Sequence, residues 1–167
     1  NIMNNNIPGG YFFPYWGPLV FKTKVSRPDL IGMSRFIKKK YHIESAKDKL
    51  AGVIDKEFRI SSVDLMKDLK PYFDLYRQAH HQYYQEDNTW IDNIKCLSSW
   101  INIMKAGEYN PTHFHNDCRL SCVLYVKVPK ELKKENNDYV GKSAGPGGIA
   151  FHYGEPRDYS ITMYSFF

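Results

Sequence analysis

Three side chains that can bind a metal ion stand at alternate positions in the segment 110–129. They are His113, His115 and Asp117. In extended backbone, residues two apart point to the same face. The apolar run at 120–128 follows at once, and we interpret it as a buried strand. The spacing therefore predicts two imidazoles and a carboxylate projecting together from the mouth of a strand, an arrangement that suits a divalent metal.

The spacing leaves two assignments of this triplet open. In the first, which we favour, His115 and Asp117 form the His-x-carboxylate part of a 2-His-1-carboxylate triad. Such a triad binds Fe(II) by one face and leaves positions open for O2 and a co-substrate. In the second, His113 and His115 both bind the metal, and Asp117 orients one ring through its N–H. A cupin-like zinc or manganese site has the same spacing, and a polar turn without metal is the remaining alternative.

Composition favours one soluble domain with a mixed core. The chain has 167 residues, enough to bury a core without disulfides, and its 16% aromatic content favours a β-rich or mixed interior. The formal charge of +5 is spread along the chain, whereas a nucleic-acid binder concentrates its charge on one face. We therefore expect no nucleic-acid partner.

Two further features of the sequence bear on compartment. The three cysteines, Cys96, Cys118 and Cys122, form no CxxC pair, so we expect reduced thiols and a cytoplasmic protein. No apolar run approaches the length of a membrane span, and no secretory signal is visible. The chain begins without Met and stops inside an apolar run, so we expect it to be part of something longer.

Helical signals are concentrated in the first half of the chain. Ser26 is a predicted N-cap for a helix at 28–40, and apolar residues at helical spacing predict the longest helix at 62–85. Pro71 lies inside that helix and is expected to kink it. The pair His80-His81 near its end is interpreted as surface polar residues.

Strand signals dominate the second half, which gives an α+β class with a predominantly antiparallel sheet. The predicted strands are 19–25, a strand after 97 that places Trp100 and Asn102 on one face, 120–128, 149–153 and one beginning at 161. Between them lie a turn at 107–111, a charged excursion at 130–137 and a glycine-rich loop at 141–148. We expect a flexible start at 1–10 and a single domain at 11–167.

Several motifs together resemble a known family, the 2-oxoglutarate/Fe(II)-dependent oxygenases related to prolyl hydroxylases, often met in phage and marine bacterial genomes. The motifs are Trp100-x-Asn102, Gly107-Glu108-Tyr109-Asn110-Pro111-x-His113-x-His115, Leu120-Ser121-x-Val123-Leu124-Tyr125 and Val128-Pro129. The glycine-led stretch 147–151 and the early Phe13-Pro14 are also similar to that family. The resemblance covers the chain from about residue 11 and is most specific at 100–129.

The resemblance implies a double-stranded β-helix (jelly-roll) core with the N-terminal helices packed on it. It also implies Fe(II) and 2-oxoglutarate as cofactors, and hydroxylation of a peptide or small molecule as the activity. Asn102 and Tyr125 are the candidates for hydrogen bonds to the 2-oxoglutarate carboxylates, with Ser121 as a further candidate. For Asn102 and Tyr125, sheet packing and a buried hydroxyl partner are the alternatives.

Two departures from the family pattern qualify these expectations. The stretch 116–119 replaces the bulkier or glycine-containing residues that usually follow the paired histidines. The family's distal metal histidine and its co-substrate-binding cation are expected beyond residue 167, so the last strands would be missing, and His152 is interpreted as a packed or surface residue. The alternatives are a non-catalytic jelly-roll binding module and a cupin-type metal protein.

Overall fold

The computed structural model describes residues 10–12, 17–85, 89–153 and 161–165. Their contacts group into two units. The first contains the described residues up to Phe12 together with Val20–Cys122, and the second contains those of Phe13–Leu19 and Val123–Phe167. The single domain at 11–167 stays a prediction, and the predicted flexible start lies outside the described residues except for Gly10.

Helix α1, Arg27–Met33, begins where the sequence predicts. Ser26 caps it, since its side chain accepts a hydrogen bond from the Asp29 backbone N–H at 3.3 Å. The α-helix ends at Met33 rather than at residue 40, and two short 3-10 turns, Ser34–Ile37 and Lys39–Tyr41, replace the rest. The Ser34 hydroxyl donates to the Ile31 carbonyl at 2.6 Å, and such side-chain bonds compete with the helical ladder.

Helix α2, Ser62–Tyr84, confirms the prediction of the longest helix. Ser61 caps its start by accepting a hydrogen bond from the Asp64 N–H at 3.2 Å. Gln85 ends it in the left-handed conformation with φ of 51°. Local signals at both ends thus determine the extent of the helix, which includes Pro71.

Replacing Ser61 with alanine should remove this cap and lower the free energy of unfolding by about 1 kcal/mol. Urea denaturation followed by circular dichroism measures the difference. The matched control is Ser98→Ala, because Ser98 is exposed and lies outside the helices and strands. Equal losses for the two variants would show that the cap contributes nothing.

The core of the first unit is assembled from both helices and the segment between them. His80, predicted to be a surface residue, is 3% exposed and belongs to this interior. Its ring lies 4.5 Å from the ring of Tyr84, because position 80 falls on the packed side of α2. The buried apolar residues are Met33, Phe36, Ala46, Ile54, Ile60, Leu69, Ala79 and Ile91.

All strand pairing among the described residues is antiparallel and two-stranded. Strand β1, Gly10–Phe12, pairs with β2, Phe21–Thr23, and β3, Glu57–Arg59, pairs with β4, Trp100–Asn102. In the second unit, β5, Ile149–Tyr153, pairs with β6, Ile161–Ser165. The α+β class with antiparallel pairing is confirmed, whereas no jelly-roll core forms among the described residues.

The predicted strand at 120–128 is wrong: these residues have irregular backbone. An apolar run becomes a strand only when another strand pairs with its backbone groups. None of the described strands pairs with this run, and Val123 is 64% exposed. The predicted buried strand that was to follow the metal-binding triplet is therefore absent from this part of the structure.

In the second unit, the charged excursion is a helix, α3, Lys130–Asn137. The glycine-rich loop at 141–148 follows it as predicted. Asn136 holds the loop against the helix, because its amide donates to the carbonyls of Ala144 at 3.2 Å and Pro146 at 2.8 Å. Strands β5 and β6 confirm the last predicted strands as far as Ser165. No described helix has the length and apolarity needed to cross a membrane.

Candidate metal centre

The segment that leads to the two histidines is held by a tight turn. Gly107 adopts a φ of 81°, which favours glycine. The neighbouring Glu108 carboxylate accepts from the N–H groups of Lys105 at 2.6 Å and Asp55 at 3.0 Å. These bonds hold the pKa of Glu108 below its ordinary value. Tyr109 then pairs with Val53, so the chain enters the histidine segment in a determined direction.

The structure brings His113 and His115 together. Their ring centroids lie 5.0 Å apart, edge to face at 75°. The ring of His115 also lies 6.4 Å from that of Trp100 in β4. Both histidines are exposed, so each imidazole can reach a ligand from solvent.

His113 has one ring nitrogen committed to the backbone. Its Nδ1 lies 2.8 Å from the Pro111 carbonyl oxygen, which can only accept a hydrogen bond. Nδ1 therefore carries the hydrogen, and in the neutral imidazole Nε2 has the lone pair. Metal-binding histidines commonly donate their second N–H to a carbonyl in this way, which sets the tautomer and the ring orientation.

Asp117 does not join the two imidazoles. Among the described residues, no group of three or more His, Cys, Asp or Glu side chains is close enough to hold a metal ion. The backbone bends at Asn116 and Asp117, so the alternation of an extended segment is lost there. Imidazoles suit Fe(II) chemically, and the described geometry offers two of them without a third donor.

The other predicted site residues are distributed over both units. Asn102 lies in β4, two positions from Trp100 and thus on the same face of the strand. Ser121 places its Oγ 3.3 Å from the Cys118 Sγ. In the second unit, the Tyr125 hydroxyl donates to the Gly147 carbonyl at 3.2 Å, a structural role that competes with co-substrate binding.

Glu57 is a residue that the sequence does not indicate. It is 1% exposed, and neither carboxylate oxygen has a hydrogen-bond partner among the described residues. Burial raises the pKa of this carboxyl, with Lys47 opposing the shift and Glu108 adding to it. No motif marks Glu57, because its burial depends on the pairing of β3 with β4.

This raised pKa predicts a pH dependence of stability. The folded protein binds the Glu57 proton more tightly than the unfolded chain does. The stability that this proton contributes is therefore complete when the pH is below the pKa of Glu57 in the unfolded chain, and it is lost as the pH rises through the pKa of Glu57 in the folded protein. Glu57→Gln should abolish that loss and make the protein more stable at neutral pH. Urea denaturation from about pH 4 to about pH 8 measures it, with Glu131→Gln on exposed α3 as control. Parallel curves for the parent and Glu57→Gln would contradict the assignment.

Comparison with known proteins gives a family match for the segment around the histidines. Residues 98–162 match a family model described as "Putative 2OG-Fe(II) oxygenase". Both histidines and Asn102 lie inside this match, and the resemblance noted in the sequence is confirmed over these residues. No curated protein and no solved structure matches the chain.

Proposed function

We propose that this chain, whose residues 98–162 match the 2OG-Fe(II) oxygenase family model, is an Fe(II)- and 2-oxoglutarate-dependent dioxygenase that hydroxylates a peptide or small molecule. The single observation that carries the proposal is the family match, because it includes both histidines and their flanking motifs. The proposal extends to the family's jelly-roll core, to a location in the cytoplasm and to the absence of a nucleic-acid partner.

The proposed iron ligands come from the triplet in residues 113–117. His115 is common to both pairings, with Asp117 as the preferred partner and His113 as the alternative. The Nδ1–H bond to Pro111 supports a ligand role for His113, since it leaves Nε2 ready to bind a metal. When bound, Fe(II) chelated by 2-oxoglutarate supplies the oxidising chemistry with O2.

The remaining residues of the proposed site would bind and orient 2-oxoglutarate. The Asn102 amide can donate to a 2-oxoglutarate carboxylate from the strand face it shares with Trp100. Trp100, whose ring centroid lies 6.4 Å from that of His115, would border the site on that side. Ser121 is proposed as a further hydroxyl donor, and Tyr125, whose hydroxyl donates to Gly147 within the second unit, stays a prediction from the sequence.

The decisive experiment measures succinate formed from 2-oxoglutarate by the full-length protein in the presence of Fe(II), ascorbate and O2. Turnover that requires both Fe(II) and 2-oxoglutarate is the expected result. A reaction with zinc in place of Fe(II) is the control, because Zn²⁺ has no redox chemistry. Absence of iron-dependent succinate would contradict the proposal.

A non-catalytic binding module is the second candidate. It is favoured by one observation: the described residues contain no group of three ligands for a metal. If the chain is a binding module, His115→Ala should have the same metal affinity as the parent, and no succinate should form. The same preparations therefore separate the two functions.

A further inference from the structure

The first unit contains a buried carboxylate, that of Glu57, which has neither a hydrogen bond nor an ion pair among the described residues. Neither Oε1 nor Oε2 of Glu57 has a hydrogen-bond partner among the described residues, although the residue is 1% exposed. Lys47, whose positive charge acts on Glu57, places its Nζ 3.1 Å from an Asp55 carboxylate oxygen instead. A buried carboxylate is normally paired with a cation or bound to a metal, because its desolvation is otherwise strongly unfavourable.

The pairing of β3 with β4 places a second oxygen beside it. Glu57 stands directly opposite Asn102. The neighbouring pair has a ladder hydrogen bond, from Ile103 N to Lys56 O, and so does the pair three positions further along, from Ile60 N to Ser99 O. Glu57 and Asn102 are therefore a non-hydrogen-bonded pair, in which side chains on the same face approach most closely. The Asn102 Oδ1 is also buried and lacks a hydrogen-bond partner.

A third oxygen, from the exposed Asn110, lies near the Glu57 carboxylate across Gly52. A Cβ added to Gly52 would stand 2.6 Å from the Glu57 Oε1 and 2.7 Å from the Asn110 Oδ1. Both oxygens thus face the open side of this glycine, where any larger residue would displace them. The absence of a side chain at position 52 lets a carboxylate and an amide oxygen approach one another.

We propose that Glu57, Asn102 and Asn110 form an oxygen-only site for a hard divalent cation, for which Ca²⁺ is the best fit. Carboxylate and amide oxygens are the ligands that calcium prefers, and none of the three residues offers the imidazole or thiolate favoured by zinc. A single proton on Glu57 would satisfy one acceptor contact, whereas a cation attracts all three oxygens at once. This site differs from the histidine centre in its ligand chemistry. It uses the Oδ1 of Asn102, whereas the proposed contact to 2-oxoglutarate uses the N–H of the same amide.

Calcium binding is tested on the full chain by calorimetric titration and by thermal unfolding with and without Ca²⁺. At calcium about 100 times the Kd, linkage predicts a Tm about 5–10 °C higher for the parent. Glu57→Gln has nearly the same shape but no charge, and it should lose this calcium-dependent rise. Asn110→Asp adds a carboxylate and should bind Ca²⁺ more tightly, because ligand charge tunes calcium affinity.

Two controls separate this site from other sources of calcium binding. Glu131→Gln, on exposed α3, should keep the full response, and His115→Ala should keep it as well. The proposal would be overturned if neither Ca²⁺ nor Mg²⁺ changed the Tm of the parent or produced heat of binding in the titration. So would a Glu57→Gln variant that retains the calcium response of the parent.

Discussion

Replacing His115 with alanine is expected to lower iron-dependent succinate formation by about 100-fold or more. His115 belongs to both possible ligand pairs, and losing a residue that merely hydrogen-bonds a metal ligand already costs about 10–100-fold. Succinate is measured at saturating 2-oxoglutarate, and Fe(II) affinity is measured by titration of the same preparation. The exposed His152 of β5 provides the matched control, since His152→Ala should retain the activity of the parent.

The same assay decides between the two ligand pairs. If His115 and Asp117 bind the metal, Asp117→Ala should be as inactive as His115→Ala, and His113→Ala should lose less. The reverse order would support His113 and His115, which the ring geometry brings together. A His115→Ala variant with the activity and iron affinity of the parent would refute both pairs.

Replacing Met33 with alanine is expected to lower the free energy of unfolding by about 2–5 kcal/mol. Met33 is 0% exposed in the core of the first unit, so its truncation removes buried apolar surface and leaves a cavity. Urea denaturation followed by far-UV circular dichroism measures the loss. In the same helix Ile31 is 64% exposed, and Ile31→Ala should change stability by no more than about 0.5 kcal/mol. Similar losses for the two variants would contradict the placement of α1.

Helix α2 shows what local information achieves. Its period, the capping residue Ser61 and its end beside Gln85 are all encoded within a few residues of where they act. Helical hydrogen bonds join residues four apart, so neighbouring sequence contains nearly all the relevant interactions. The prediction of this helix therefore agrees with the structure at both ends.

The run at 120–128 shows the limit of the same reasoning. Its apolar composition is typical of a buried strand, but a strand needs backbone partners from distant sequence. The described residues supply none, and the run is irregular. The bend at Asp117 has the same consequence for the predicted triplet, because the common face of its three side chains required extended backbone.

By itself the sequence determined the α+β class, the helix starts at Ser26 and Ser61, and the histidine motif that the family match at 98–162 contains. Only the tertiary structure decided which side chains meet. It placed Glu57 opposite Asn102 and buried the Glu57 carboxylate, and it left the run at 120–128 without a pairing strand among the described residues. The reason is physical: burial and strand register are set by contacts between residues far apart in the chain, and no local pattern records them.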